Sequence, residues 1–280
     1  LGTVADPTAP PPTVPTTGTG APPSSTGAST ASSSAAAAPT TVPCPSTTVA
    51  GDLDHGGTDA FDPETVNPLG DPSSPGCGDT ISVLIVGDST GRGAANGLAR
   101  VADPRLQVWD RTTLGCSLGG EECPDWRRTW ADAVAQIHPD VVLMYTGIVS
   151  DFRDVDDPPF LSDRARLGRA GQLRDAFTLL GATGAKVLAV REAPPRPPKG
   201  IFFCQGRATN SNCDPRWFAR WNEDLAAVAA ANGVTVLDVA GWLDARGDTA
   251  TDRPDGLHLA GPSLVEHAKW LVPQLVAAAG

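Results

Sequence analysis

Short apolar runs and longer stretches of helical spacing alternate along most of the chain. Ile81-Ser82-Val83-Leu84-Ile85-Val86 ends in Gly87, and a Gly-rich turn and helical stretch follow to about Val101. Leu106 to Trp109 reads as a second strand, Asp140 to Tyr145 as a third, Lys186 to Val190 as a fourth and Val234 to Leu237 as a fifth. Helices are predicted over Asp125 to His138, Asp163 to Leu180, Pro215 to Ala231, and from Pro262 to about Ala278. The strands are apolar throughout and no hairpin turn joins them, which predicts a parallel sheet covered on both faces. Such sheets place their chemistry beyond the carboxyl ends of the strands. The loops to search are therefore 87–93, 110–124, 146–160, 191–214 and 238–260.

Composition divides the 280 residues into three parts. Residues 1–50 hold 12 Thr, 10 Pro, 10 Ala and 7 Ser against one charged side chain, Asp6. A segment so poor in large apolar residues cannot offset the entropy of ordering itself, so it is expected to be a disordered tether, extended where Pro is dense. Residues 51–79 form an acidic lead-in whose Asp52, Asp54, Asp59, Asp62 and Glu64 lack the ligand spacing of a calcium loop. Residues 80–280 remain as one domain. The net charge of −11 argues against nucleic acid and anionic membranes as partners. The longest apolar run, Val141 to Val149, is the length of a strand, far short of the ~20 residues that span a bilayer. The chain starts at Leu1 and shows no signal peptide, so it is expected to be the mature or C-terminal part of a longer protein.

The six cysteines fall at Cys44, Cys77, Cys116, Cys123, Cys204 and Cys213. None shows the Cys-x-x-Cys spacing of zinc or redox sites. Disulfides are expected, with Cys116 next to Cys123 and Cys204 next to Cys213, and with them an oxidising setting outside the cytoplasm.

The first strand runs into Gly87-Asp88-Ser89-Thr90-Gly91-Arg92-Gly93. Read as Gly-x-x-x-Gly-x-Gly, it is similar to the cofactor loop of short-chain dehydrogenases, with Asp110 as a ribose-binding acid. That family needs a Tyr-x-x-x-Lys pair, and four residues after the one tyrosine, Tyr145, stands Val149. Read as Gly-x-Ser-x-Gly, it is the nucleophile elbow of α/β-hydrolases. That fold needs strands upstream of the elbow, and the 80 residues before it are tether and loop. The third reading couples Gly87-Asp88-Ser89 to the late Asp255-Gly256-Leu257-His258. A serine hydroxyl needs an adjacent base, and the imidazole of that base needs a third group to fix its tautomer. Pro254-Asp255-Gly256 is a strong turn sequence that folds the carboxylate back toward His258.

With this pair of motifs, residues 77–280 resemble the SGNH (GDSL-type) hydrolases. The resemblance implies a three-layer α/β/α sandwich on a central five-stranded parallel sheet, the flavodoxin-like form of that family. It implies Ser89 as nucleophile, His258 as base and Asp255 as the orienting acid, with no cofactor and no metal. Family members build an oxyanion hole from the serine N–H, a glycine after the second strand and an asparagine after the third. Ser89 and Gly115 match the first two. The third block reads Gly147-Ile148-Val149-Ser150-Asp151, without the asparagine, so either another group such as Ser150 or Arg153 takes its place or the enzyme is slow on simple esters, and Asp88, Ser150 and Arg153 are expected on the substrate-binding side. His55, His138 and His267 are expected to be solvated or structural.

The long segment 191–214 is expected to form a substrate rim, and Trp217 with Trp221 to sit in the core. The tether, the disulfides and the missing asparagine are also similar to SGNH domains fused behind membrane acyltransferase-three proteins. This implies an extracytoplasmic serine esterase or O-acyltransferase acting on acetyl groups of envelope carbohydrate, with an upstream membrane domain as acyl donor. A secreted lipase and a non-catalytic carbohydrate-binding module are the alternatives.

Overall fold

A computed structural model describes residues 80–116, 118, 123, 125–146, 162–196 and 215–280. The tether, the acidic lead-in, Cys44, Cys77, Cys204 and Cys213, the segment from Gly147 to Arg153 and most of the 191–214 rim lie outside the described residues.

Five parallel strands, β1 (Ile81–Gly87), β2 (Leu106–Thr112), β3 (Val141–Tyr145), β4 (Lys186–Arg191) and β5 (Thr235–Asp238), form one sheet in the order β2-β1-β3-β4-β5. Among the described residues six helices accompany them: α1 (Ser89–Val101), α2 (Trp126–Ile137), α3 (Asp163–Leu180), α4 (Pro215–Ala231), α5 (Val239–Ala245) and α6 (Gly261–Ala279). The chain is thus the α/β sandwich that the alternating runs predict.

The layers follow from the two-residue period of β1. Leu84 and Val86 enter a core with Trp126, Trp130, Leu173 and Trp221, from α2, α3 and α4. Val83 and Ile85 enter a second core with Leu98, Leu243 and Leu271, from α1, α5 and α6. Both faces are buried, which is why β1 and β3 are apolar at every position that reaches the interior. Trp221 is buried and Trp217 packs against the same core, as expected for residues at helical spacing.

Two elements depart from the sequence reading. The strand β2 runs on to Thr112, because its polar end is paired internally: Asp110 accepts hydrogen bonds from the Thr112 N–H at 2.8 Å and the Thr112 hydroxyl at 2.6 Å. The segment 238–260, expected as loop, opens with α5. There Asp238 caps the helix by accepting from the Gly241 N–H at 2.8 Å, and Val239, Ala240 and Leu243 bury its inner face. A seven-residue helix is too short to announce itself by periodicity.

Strand order reverses around β1, with β2 on one side and β3 on the other. The carboxyl end of β1 is therefore the switch point where open parallel sheets bind ligands. Gly87 sits there at φ +119°, and a Cβ at this position would lie 1.5 Å from the Tyr145 carbonyl oxygen. Only glycine lets the chain turn from β1 into α1 this close to β3.

Candidate active site

Ser89 is the first residue of α1, and Asp88 is its N-cap. The Asp88 carboxylate accepts from the Thr90 N–H at 2.8 Å, while the Asp88 N–H donates to the Tyr145 carbonyl at 3.2 Å. Helix geometry leaves the first-turn N–H groups without intrahelical acceptors and gives that end a partial positive charge. Ser89 therefore stands where a developing anion is favoured. Asp88, expected on the substrate-binding side, has a relative exposure of 0%, and its carboxylate caps the helix.

His258 arrives from the other end of the sequence. Asp252 and Arg253 hold its loop: Asp252 accepts from the Thr249 and Ser263 hydroxyls, each at 2.6 Å, and Arg253 pairs with Asp248 and donates to the Pro194 carbonyl at 3.0 Å. Gly256, at φ +83°, makes the turn, with its N–H on the Arg253 carbonyl at 2.9 Å. Its own carbonyl accepts from the Arg196 N–H at 2.9 Å.

The turn delivers a linear relay. His258 Nε2 lies 2.8 Å from Ser89 Oγ, and His258 Nδ1 lies 2.5 Å from Asp255 Oδ2. Asp255 Oδ1 accepts from the backbone N–H groups of Leu257 and His258, both at 2.8 Å. Burial alone would raise the Asp255 carboxyl, but the His258 ring and those N–H donors outweigh it and hold it at about 2, below its ordinary 3.8. Asp255 is therefore an anion that fixes Nδ1 as the protonated ring nitrogen and leaves Nε2 to accept from Ser89. The structure thus brings together the three side chains singled out in the sequence.

Gly115 follows β2 in the adjoining loop, which is tied to the end of β1 by the Thr113 N–H on the Gly87 carbonyl at 2.8 Å. A disulfide joins Cys116 to Cys123 just beyond it. Gly147, Ser150 and Arg153 lie outside the described residues. Asp110, the would-be ribose acid, is buried against Thr112 and stands 3.7 Å from Arg92. His138 is the left-handed cap of α2. Among the described residues no group of His, Cys, Asp or Glu has the arrangement of a metal site.

Several neighbours were not singled out from the sequence. Behind His258 lies a cavity of about 40 Å³, with Thr90, Tyr145, Glu192, Arg253 and His267 on its walls. Burial, then the Glu192 and Asp88 carboxyls, keep the Tyr145 phenol protonated well above its usual range. Burial pushes His267 down to about 3, so that imidazole is neutral and acts as packing among Trp242 and Trp270. Glu192 directly follows β4, and a carboxylate just past a largely apolar strand at the ligand-binding edge is the signal that could have marked it.

A serine, an imidazole and a carboxylate hydrogen-bonded in series above a parallel sheet define a serine-hydrolase type of site on an α/β scaffold. The profile of the GDSL-like Lipase/Acylhydrolase family matches residues 69–261, and the chain belongs to that family. Among solved structures, the lipase/acylhydrolase from Enterococcus faecalis is similar at 13% identity and a TM-score of 0.50, over 71% of this chain and 96% of that one. A putative acylhydrolase from Bacteroides fragilis is similar at 12% identity and a TM-score of 0.52, over 71% and 88%. A GDSL-like lipase from Bacteroides thetaiotaomicron is similar at 14% identity and a TM-score of 0.50, over 70% and 88%. At these identities the likeness is one of fold. No curated protein matches the chain in sequence.

Proposed function

We propose that the protein is an extracytoplasmic serine esterase or O-acyltransferase that moves acetyl groups on envelope carbohydrate through an acyl-enzyme on Ser89. The observation that carries this reading is the series Ser89 Oγ, His258 Nε2, His258 Nδ1 and Asp255 at 2.8 and 2.5 Å. Membership of an acylhydrolase family supports ester chemistry. The Cys116–Cys123 disulfide, the Thr/Pro/Ala/Ser-rich first 50 residues and the acidic charge support a place outside the cytoplasm.

In this reading Ser89 Oγ attacks the acyl carbonyl carbon while its proton passes to His258 Nε2. The imidazolium is stabilised by Asp255, and the oxyanion is held by the N–H groups of Ser89 and Gly115. The tetrahedral adduct collapses, the alcohol leaves with the proton from Nε2, and the acyl group stays on Ser89. Water or a sugar hydroxyl then enters, gives its proton to Nε2 and takes the acyl group, and Ser89 recovers its proton. Either a group such as Ser150 or Arg153 replaces the family's asparagine as third oxyanion donor, or turnover of simple esters is slow. Water makes the protein an esterase, and a sugar hydroxyl makes it a transferase, with a membrane acyltransferase-three protein as donor.

The test is p-nitrophenyl acetate turnover by the full chain beside Ser89→Ala, with mass spectrometry after a fluorophosphonate probe. Turnover and a label on Ser89, both absent in the variant, are expected. A folded wild-type protein with neither overturns the serine mechanism. Mass spectrometry of an envelope polysaccharide incubated with an acetyl donor then separates transfer from hydrolysis.

A further inference from the structure

Two N–H groups stabilise an oxyanion only if they hold fixed places relative to each other. In the proposed chemistry one donor, the Ser89 N–H, opens α1, and the other, the Gly115 N–H, lies in the loop after β2. The register of β1 on β2 runs to Gly87 opposite Thr112, and the Thr113 N–H on the Gly87 carbonyl at 2.8 Å carries the contact one residue further. Gly115 lies beyond this ladder, so its place relative to α1 depends on side chains.

Arg92, one helical turn after Ser89, reaches from α1 to the end of β2. It donates from Nε to the Thr112 hydroxyl at 3.3 Å and from a terminal nitrogen to the Thr112 carbonyl at 3.0 Å. A guanidinium presents its N–H groups as a rigid fork, so both oxygens of one residue are held at once. Asp110 orients the residue being held. Its Oδ1 accepts from the Thr112 N–H at 2.8 Å and the Thr112 hydroxyl at 2.6 Å, and its Oδ2 lies 3.7 Å from Arg92 Nε. The Thr112 hydroxyl thus gives its proton to Asp110 and accepts from Arg92. Asp110 and Thr112 are both buried, which shields these bonds from water. The backbones are close as well: a Cβ on Gly91 would lie 3.1 Å from the Thr112 methyl group.

Little freedom is left between Thr112 and Gly115. The Cys116 N–H closes a turn on the Thr113 carbonyl at 3.0 Å, and Cys116 is buried in the core with Trp126 and joined to Cys123. We infer that Arg92 is a positioning residue for the oxyanion hole: by clamping Thr112 to α1 it fixes the Gly115 turn relative to Ser89. Its contacts run to β2, and it acts through Thr112.

The catalytic part of this inference rests on the proposed Ser89 chemistry, whereas the clamp does not, so two readouts separate them. The first is hydrogen exchange by mass spectrometry on the full chain, wild type beside Arg92→Ala and Arg92→Lys. Exchange is expected to quicken in the peptides covering 112–116, most in Arg92→Ala and less in Arg92→Lys, whose ammonium reaches one of the two oxygens. Wild-type exchange there in a folded variant overturns the clamp whatever the enzyme does. If Arg92→Ala exchanges fast along the whole chain, it has unfolded, and Arg92→Lys carries the comparison with wild type. The second readout is kcat and KM for p-nitrophenyl acetate. Because the oxyanion forms only on the way through the transition state, Arg92→Ala is expected to lose roughly 10- to 100-fold in kcat with KM within about threefold of wild type. Arg92→Lys is expected to fall between the two. A kcat equal to wild type in a folded variant with quickened exchange, or a loss confined to KM, overturns the positioning role. Quickened exchange at 112–116 in a protein with no turnover even as wild type sinks the serine-enzyme reading and leaves the clamp standing.

Discussion

Asp255 shows how a single residue is tuned by what it touches. Its carboxyl, held at about 2 by the His258 ring and two backbone N–H groups against the opposing effect of burial, stays charged through any mild acid. A carboxyl whose folded value lies below its free value stabilises the fold above the free value. It loses that contribution as pH falls through the folded one, here from 3.8 to about 2. Asp255→Asn keeps the shape but removes the charge and favours the wrong ring tautomer. Its kcat on p-nitrophenyl acetate is expected to fall by roughly 10⁴-fold, with the fluorophosphonate label on Ser89 slowed in proportion. A fall of less than tenfold would mean that His258 does not depend on this carboxylate.

At the scale of elements, α3 and α4 are joined by a buried ion pair. Arg169 donates to Asp224 Oδ2 through Nε at 2.9 Å and through its terminal nitrogen at 2.6 Å, and Arg166 reaches Asp224 Oδ1 at 3.1 Å. Burial lowers the Arg169 guanidinium, and Asp224 acts against that shift. Asp224→Asn leaves a buried cation without its counter-charge. It is expected to cost about 3–5 kcal/mol in denaturant unfolding, while the folded fraction keeps its specific activity, since the pair lies on the far side of the sheet from α1. A native midpoint in the variant would show that the pair carries no net stability. This pair was not legible in the sequence, because nothing in Arg169 or Asp224 alone reports that they meet. The strands and long helices were legible, since β1 and β3 are apolar at nearly every position and Ser162 caps α3 by accepting from the Ala165 N–H at 3.2 Å. Ser89, Asp255 and His258 were legible because the turn that joins the last two is local. Thr90, Glu192 and Arg253 were not, because the contacts of Thr90 with Glu192 and of Arg253 with Pro194 join positions far apart in the chain. The capping role of Asp88 was not, because it depends on where the helix starts.

For the molecule as a whole, acid is a liability carried by His267. It is buried in α6 beside Tyr145 and two tryptophans, and burial holds it at about 3 instead of 6.5. The unfolded chain takes up a proton below pH 6.5 that the folded protein refuses until about pH 3. Stability therefore falls as pH drops through that window, at up to roughly 1.4 kcal/mol per pH unit for this group. His267→Gln is expected to flatten the dependence of unfolding free energy between pH 6 and pH 4, measured by urea titration. An equally steep slope in the variant would assign acid sensitivity elsewhere. The order of the site along the chain has a separate consequence. His258 follows Ser89 by 169 residues, just before the helix that packs along α1. A nascent chain that has not yet reached His258 carries the serine without its base, so under the proposed chemistry it stays inert toward esters until both halves of the site have been made.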